Sequence, residues 1–511
     1  MAPPLFSEAD RLSVTVGSYP MRTVSRVVRN SIALMSGQVY GVIINLLAIS
    51  VIARYLSLEA FGEYGFILAV CVTLSMIADM GINRIAIREI SREEDRASEI
   101  RILTATVMGK ALLSIISFGA IMTIVWVAWG SPRILLGTTL CAIATIIKII
   151  GDIPEAVFKA YERMKNNAYL KIVEDTSYIL GVLAVVTFDF GLIGIFTALL
   201  FSSVIRISLG IAILSRGFFM PRLELDAVLI KWIFKEAVPI GFNRIFRKAA
   251  LRIDTIILKL LRTTQEVGLF HGVYRIILIA SIIPFNITEA LFPIYSRFAK
   301  DSQDSLRMAF EKSFKLLFIL VLPLVLITVI FAGHVVHFFL GEKFSAAIPL
   351  MRILVFLLGF RFLSILCTKI LNASDQQRRA TYASGVSLAV NVVLDIILIY
   401  SFGYMGAAFA TLVSEMLLLG MSLMYVNRYV CRFDLWSKVK RLLLIILLAG
   451  GTALFLQKIG DIVAASVSVV VYVVLLFAFK IFEDDELNVI REGIKLFHVR
   501  AQRADLLDID S

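Results

Sequence analysis

The chain has 511 residues, of which 59% are hydrophobic and only 18% charged, and its mean hydropathy is +0.87. Soluble domains are about 45–50% apolar and about 25% charged, so a water-soluble fold is excluded and lipid is the natural solvent. The net charge of +12 does not point to nucleic acid, because the Lys and Arg residues sit in short segments between apolar runs, as cytoplasmic loops of membrane proteins do.

A helix that crosses about 30 Å of hydrocarbon needs about 20 mainly apolar residues. Residues 1–30, with Arg11, Arg22, Arg26 and Arg29, read as a cytoplasmic tail. Spans then follow at 32–54, 62–83, 104–129, 134–150, 169–189, 191–214, 237–258, 267–290, 315–332, 348–371, 380–401, 404–426, 441–457 and 461–480. The runs are continuously apolar, which excludes a β-barrel with its period of two. The fold class is therefore an all-α integral membrane protein of about 14 transmembrane helices. With both termini cytoplasmic, 35 of the 51 Lys and Arg fall in cytoplasmic segments, five in external ones and eleven inside spans. That bias fixes the orientation and an even number of spans.

An internal repeat is visible. Phe190-Gly191-Leu192-Ile193-Gly194 and Phe402-Gly403-Tyr404-Met405-Gly406 lie 212 residues apart, and Phe61-Gly62-Glu63-Tyr64 pairs with Val267-Gly268-Leu269-Phe270 at 206. The repeat divides the chain into an N-lobe at 31–215 (spans 1–6) and a C-lobe at 216–427 (spans 7–12). Two appended spans at 428–481 and a cytoplasmic amphipathic tail at 482–511 follow.

Ionisable residues inside a membrane are costly and usually face a bundle interior or water. In span 7, Asn243, Arg244, Arg247, Lys248, Arg252, Asp254 and Thr255 share one half of a continuous helical wheel, with only Leu251 badly out of place. Arg244, Arg247 and Lys248 lie near the cytoplasmic end and are also compatible with snorkelling to headgroups; Arg252 is deeper. Further intramembrane charges are Arg206, Arg275, Arg352, Arg361, Lys369, Asp395 and Glu415. Arg361 and Glu415 read equally as a structural pair or as transport residues. Arg54 reads as a cavity residue or an interfacial anchor, His271 as an interfacial residue near the outer end of span 8, and Asp79 as a partner of Asn83 or Arg84. Arg84, Arg88, Arg92 and Arg96, four residues apart, suggest a helical extension with a basic stripe against an anionic leaflet. Cys71, Cys141, Cys367 and Cys431 are scattered, which implies packing rather than disulfides or metal. The chain lacks the P-loop, GxSxG and HExxH motifs, and its longest external connection, 333–347, is too short for an acceptor-binding loop. A transporter is expected rather than an enzyme, with no cofactor beyond a coupling ion, H+ or Na+.

Ala53-Arg54-Tyr55-Leu56, then Glu59-Ala60-Phe61-Gly62-Glu63-Tyr64, Asp79-Met80-Gly81 and Arg88-Glu89, resemble the opening of Wzx-type polysaccharide flippases. These belong to the multidrug/oligosaccharidyl-lipid/polysaccharide exporter superfamily, and the resemblance extends along all the spans. It implies a V-shaped pair of six-helix lobes with alternating access, in a cell membrane. The implied substrate is a polyprenyl-diphosphate-linked oligosaccharide moved from the cytoplasmic to the external leaflet, in company with membrane lipids and glycan-assembly enzymes. A diphosphate needs cations, and Arg binds phosphate oxygens bidentately. Arg244, Arg247, Lys248 and Arg252 are the expected cradle, assisted by Arg275 and Arg54. Asp79, Asp254, Arg361, Asp395 and Glu415 are the expected gating or coupling residues. The alternatives are a lipid II flippase, a drug/cation antiporter of the same superfamily, and a membrane glycosyltransferase or polymerase.

Overall fold

In hydrocarbon every backbone N–H and C=O must find its partner within the segment. The chain meets that demand with helices. The computed structural model describes residues 21–93, 95–129, 131–217, 226–433, 436–458, 460–479 and 481. Among these there are twenty α-helices, one 3-10 turn and no strand.

The first spans form α1 (Met21–Tyr55), α2 (Leu58–Leu74) and, after a bend at Ser75, the short α3 (Met76–Asp79) and α4 (Ile82–Ile90). The hydroxyl of Ser57 caps α2 by accepting the Ala60 N–H, a usual N-cap arrangement. Next come α5 (Arg96–Trp129), α6 (Pro132–Ala160), α7 (Met164–Thr187) and α8 (Gly191–Gly217). Span 7 appears as α9 (Ala227–Ala249) and α10 (Ile253–Leu261), followed by α11 (Thr264–Ala280), α12 (Ile282–Asp301) and α13 (Gln303–Ile330). The external connection at 333–347 is itself helical, with α14 (Ala332–Phe339) and the 3-10 turn Glu342–Ala347. The chain closes with α15 (Ile348–Leu354), α16 (Phe356–Ala373), α17 (Gln377–Phe402), α18 (Tyr404–Tyr429), α19 (Trp436–Leu456) and α20 (Asp461–Ala478). Each expected span thus coincides with helix. Among the described residues, ten stretches are long and apolar enough to cross a membrane, and Val463–Ala478 is a shorter apolar one.

The basic extension after span 2 is shorter than its periodicity suggested. Helix α4 stops at Ile90, so Arg92 and Arg96 are not on it. A new helix begins at Arg96 because the Asp95 carboxylate accepts the Ala97 and Ser98 N–H groups. The amphipathic tail expected at 482–511 lies outside the described residues.

Two compact units are present. One comprises Met1–Ile279, His337–Ser345 and Leu388–Ala410; the other comprises Ala280–Val336, Ala346–Ser387 and Thr411–Ser511. In the first, Gly191 and Gly403 occupy the same place in the duplicated turn and share a left-handed backbone, at φ +63 and +59. Only glycine adopts that conformation without a steric penalty, so the sequence repeat is also a conformational one. In the second unit, α19 and α20 pack on α13 through Ile319, Leu326, Ile445, Ala449, Ala464 and Tyr472. The Tyr472 hydroxyl donates to the Ile319 carbonyl at 2.9 Å.

Candidate functional site

Span 7 is not one continuous helix. Ala250, Leu251 and Arg252 form a turn between α9 and α10, with Arg252 at φ −141. The 100° register restarts at Ile253, which is why Leu251 fits no single wheel. Interrupted helices at membrane depth are tolerated where the freed backbone faces protein or a hydrated cavity. No Gly or Pro lies within 249–253, so the interruption has a tertiary rather than a local cause. The side chains of 242–248 lie outside the described residues, and with them the expected cradle positions Arg244, Arg247 and Lys248.

Arg252 and Arg275 are brought together. The two guanidinium groups act on each other electrostatically, and Arg252 also interacts with Tyr64 and Tyr274. Tyr178, on α7, faces Arg275 and shares a hydrogen bond of 3.3 Å with the Tyr64 hydroxyl. The Tyr64 ring is stacked on Phe196 with centroids 5.7 Å apart. Among the described residues neither guanidinium has an acidic partner within salt-bridge range. Like charges held together in a half-buried place are unfavourable unless an anion joins them.

His271 lies in the same group. It is 95% buried, edge-on to Phe61 and Tyr64 and within electrostatic reach of Arg252 and Arg275. The interfacial reading of His271 is therefore corrected: the approach of Gly65 to its ring makes room for an imidazole in the interior. Arg54 is committed elsewhere. Its Nη2 donates to the carbonyls of Phe338 (2.6 Å) and His337 (3.2 Å), and Lys343 donates to the Arg54 carbonyl.

Among the acids, Asp254 and Asp395 are both inaccessible and within electrostatic reach of each other. Asp254 occupies the first turn of α10, where the helix dipole favours negative charge. Asn391, one turn before Asp395, is also buried and its Oδ1 has no hydrogen-bond partner among the described residues. Two carboxylates brought together in a dry interior repel each other when both are charged.

Asp79 differs from expectation. Its carboxylate is 3.4 Å from the Lys110 ammonium, and Lys110 donates to the Ile149 carbonyl at 2.8 Å. Both side chains are buried, and this ion pair is a contact that the expectation of Asn83 or Arg84 did not include. In the second unit, Arg361 lies 3.7 Å from Glu415, which also accepts the Ser364 hydroxyl at 2.5 Å.

One cluster escaped the sequence reading. Arg206 binds Asp152 and Glu155, each at 2.6 Å, approaches Glu174 at 3.4 Å and donates to the Lys148 carbonyl. Lys148 pairs with Glu174 at 2.5 Å, and Lys171 with Asp175 at 2.6 Å. Helices α6 and α7 continue through most of the stretch between the spans expected at 134–150 and 169–189. The i, i+3 spacing of Asp152 and Glu155 on one helix face was the available signal. Four cations (Lys148, Lys159, Lys171, Arg206) match four acids (Asp152, Glu155, Glu174, Asp175), so the network ties α6, α7 and α8 together and leaves no surplus charge for a ligand.

Comparison with known proteins adds to this geometry. The model of the polysaccharide biosynthesis protein family matches residues 27–299, more than half of the chain, and that of the MatE family matches 239–397. The chain belongs to the polysaccharide biosynthesis protein family. It is 23% identical over 393 residues to the probable low-salt glycan biosynthesis flippase Agl15 of Haloferax volcanii, covering 76% of this chain and 80% of that one. It is 24% identical over 395 residues to a putative O-antigen transporter of Shigella flexneri, covering 75% and 93%. Its fold is shared with the lipid II flippase MurJ in an inward closed conformation, at a TM-score of 0.69 and 14% identity over 88% of this chain and 99% of that one. In this family member one residue of the cationic pair and one of the acid pair adjoin: Arg252 and Asp254 flank the start of α10, two residues apart.

Proposed function

We propose that this chain is a flippase that carries a polyprenyl-diphosphate-linked oligosaccharide from the cytoplasmic to the external leaflet of the cell membrane. One observation carries the reading: Arg252 and Arg275 lie within electrostatic reach of each other and of the hydrogen-bonded hydroxyls of Tyr64 and Tyr178, with no acidic partner in salt-bridge range among the described residues. A diphosphate supplies the missing negative charge and the acceptor oxygens. The names of the two relatives, a glycan biosynthesis flippase and an O-antigen transporter, support the same class of cargo. Moving a diphosphate through bare hydrocarbon costs many kcal/mol because the charge is desolvated; a cationic seat lowers that barrier without covalent chemistry, so the protein acts as a transporter and not as an enzyme.

In this reading the chain works as two six-helix halves, 31–215 and 216–427, with both termini cytoplasmic. Arg244, Arg247 and Lys248, on the cytoplasmic side of the break, extend the cationic path, and Arg54 stiffens the external end through its carbonyl contacts. Asp254 and Asp395 take up the coupling ion, H+ or Na+, with Asn391 as an additional oxygen donor. Asp79, Arg361 and Glu415 act through helix-to-helix ion pairs that must hold while the halves move. Enzymes that assemble the glycan are its partners on the cytoplasmic side. Lipid II carries the same diphosphate, so the same seat would serve it; the glycan accepted in reconstituted vesicles separates the two cargoes.

Each charge-assisted hydrogen bond is worth about 1.5–3 kcal/mol, and a tenfold change in binding is about 1.4 kcal/mol. Charge reversal at both positions, Arg252→Glu with Arg275→Glu, is expected to lower glycolipid translocation in proteoliposomes at least a hundredfold while leaving membrane insertion unchanged. Wild-type translocation by the double variant overturns the proposal.

A further inference from the structure

We infer that Arg379 and Arg428, gathered on the ring of Tyr429, bind the headgroup phosphate of an anionic phospholipid in the cytoplasmic leaflet.

The two arginines come from different helices of the second compact unit. Arg379 stands in the first turn of α17, and Arg428 in the last turn of α18, next to Tyr429. The Arg379 guanidinium carbon lies 3.7 Å from the centre of the Tyr429 ring, and that of Arg428 lies 5.5 Å from it. Both are within the range at which a ring face attracts a cation. The two guanidinium carbons are therefore no further apart than those distances laid end to end, a span that one phosphate bridges with N–H···O bonds. Like charges gathered in this way repel each other until an anion joins them. Other cations of the unit are already committed. Arg307 pairs with Glu311 at 2.9 Å, Arg297 pairs with Asp301 at 3.4 Å, and Lys315 donates to the Ile481 carbonyl at 3.1 Å. Among the described residues, neither Arg379 nor Arg428 has an acid within salt-bridge range, and Arg379 donates to the neutral amide of Gln376. A guanidinium lying against a ring face keeps in-plane N–H groups, and that fork matches phosphate oxygens.

The charge stands at the head of an apolar lane. Met416, Gly420, Met424 and Arg428 recur every four residues on α18 and are all exposed, so they line one side of the helix. A Cβ added at Gly420 would meet open space, which leaves a notch between the two methionines. On α17 the exposed ring of Tyr382 lies one turn past Arg379. A free phosphate or an acidic peptide would use the cations alone. A phospholipid uses both parts, with its phosphate on the guanidinium groups and an acyl chain along the lane. On the orientation proposed above these helix ends are cytoplasmic, where anionic lipids give the leaflet a negative surface potential. Bound there, one headgroup ties the start of α17 to the end of α18.

The test titrates the full purified chain by calorimetry with dihexanoyl phosphatidylglycerol, dihexanoyl phosphatidylcholine and glycerol phosphate. Phosphatidylglycerol should bind at least tenfold more tightly than either of the others. Arg379→Gln with Arg428→Gln should weaken its binding at least tenfold. Tyr429→Leu, which removes the ring and keeps both charges, should weaken it as well, whereas Tyr429→Phe should bind as the wild type does. Arg297→Gln, at an exposed ion pair of the same unit, should change nothing. If the double glutamine variant fails to fold, Arg379→Lys with Arg428→Lys, which keeps the charge and loses the fork, should still bind at least threefold more weakly. Wild-type binding in the double glutamine variant overturns the site. Glycerol phosphate binding as tightly as phosphatidylglycerol overturns the lipid as occupant and leaves free phosphate. Loss of phosphatidylglycerol binding in Arg252→Gln/Arg275→Gln, with binding kept in the Arg379/Arg428 variant, places the lipid in the cargo seat and also overturns the inference.

Discussion

Replacing Arg206 by Gln strips the buried network of the one cation that reaches three carboxylates. Its side chain is only 3% exposed, and Asp152, Glu155 and Glu174 all converge on it. Breaking a buried pair from one side costs about 3–5 kcal/mol, because the remaining charge is left uncompensated. The neighbours decide where in that range the cost falls. Glu174 keeps Lys148 at 2.5 Å and Glu155 keeps Lys159 at 3.4 Å. Asp152, whose side chain is 35% exposed, can recruit water. The expected loss is therefore near the lower end, about 3 kcal/mol. The assay is the thermal midpoint of the detergent-solubilised protein, followed by size-exclusion fluorescence, next to Arg297→Gln as control. Arg297 and Asp301 form an exposed pair, 76% and 61% accessible, where the loss should stay below about 1 kcal/mol. Arg206→Gln with Asp152→Asn should recover part of the loss, since Asp152 is the acid whose ion pair is with Arg206 alone among the described residues and the double change removes it. Equal midpoints for Arg206→Gln and Arg297→Gln would refute the reasoning.

Three further outcomes are expected. Asp395→Asn keeps the shape of the acid pair but removes its need for a counter-charge, so translocation should lose its dependence on an imposed H+ or Na+ gradient; a wild-type gradient dependence in the variant would sink the coupling role. The Arg101 guanidinium, at 2.6 Å, holds the Asp226 carboxyl below the usual carboxylate range, with help from the Leu229 N–H at the start of α9. A depressed value stabilises the fold above the unfolded value of about 3.9 and is lost as pH falls through the folded one. Amide exchange at Leu229 should therefore quicken below about pH 4, and in Asp226→Asn it should be fast at neutral pH as well. Gly403→Ala should destabilise by about 1–2 kcal/mol from backbone strain at φ +59, plus displacement of the Glu266 carboxylate that accepts the Tyr404 N–H at 3.0 Å; an unchanged thermal midpoint would contradict this.

The sequence by itself determined the solvent, the helical class, the places of the spans and the duplicated turn. Those follow from apolar run length and from glycine at fixed offsets, which are local properties. It also singled out Arg252, Arg275, Asp254 and Asp395, because a charge in hydrocarbon demands a reason wherever the chain leads. Partnership was another matter. Arg252, Asp254, Arg275 and Asp395 lie on three elements, and only folding decided that cation meets cation and acid meets acid. Asp79 found Lys110, 31 positions away, where the sequence offered Asn83 and Arg84 nearby. The turn at 250–252 has no breaker residue to announce it; good helix formers occupy it, and tertiary contacts override their preference. The Arg206 network was hidden because Asp152 and Glu155 look like loop residues until α6 is seen to continue to Ala160. Pairing energy depends on distance in space and on exclusion of water, and neither is written in residue order.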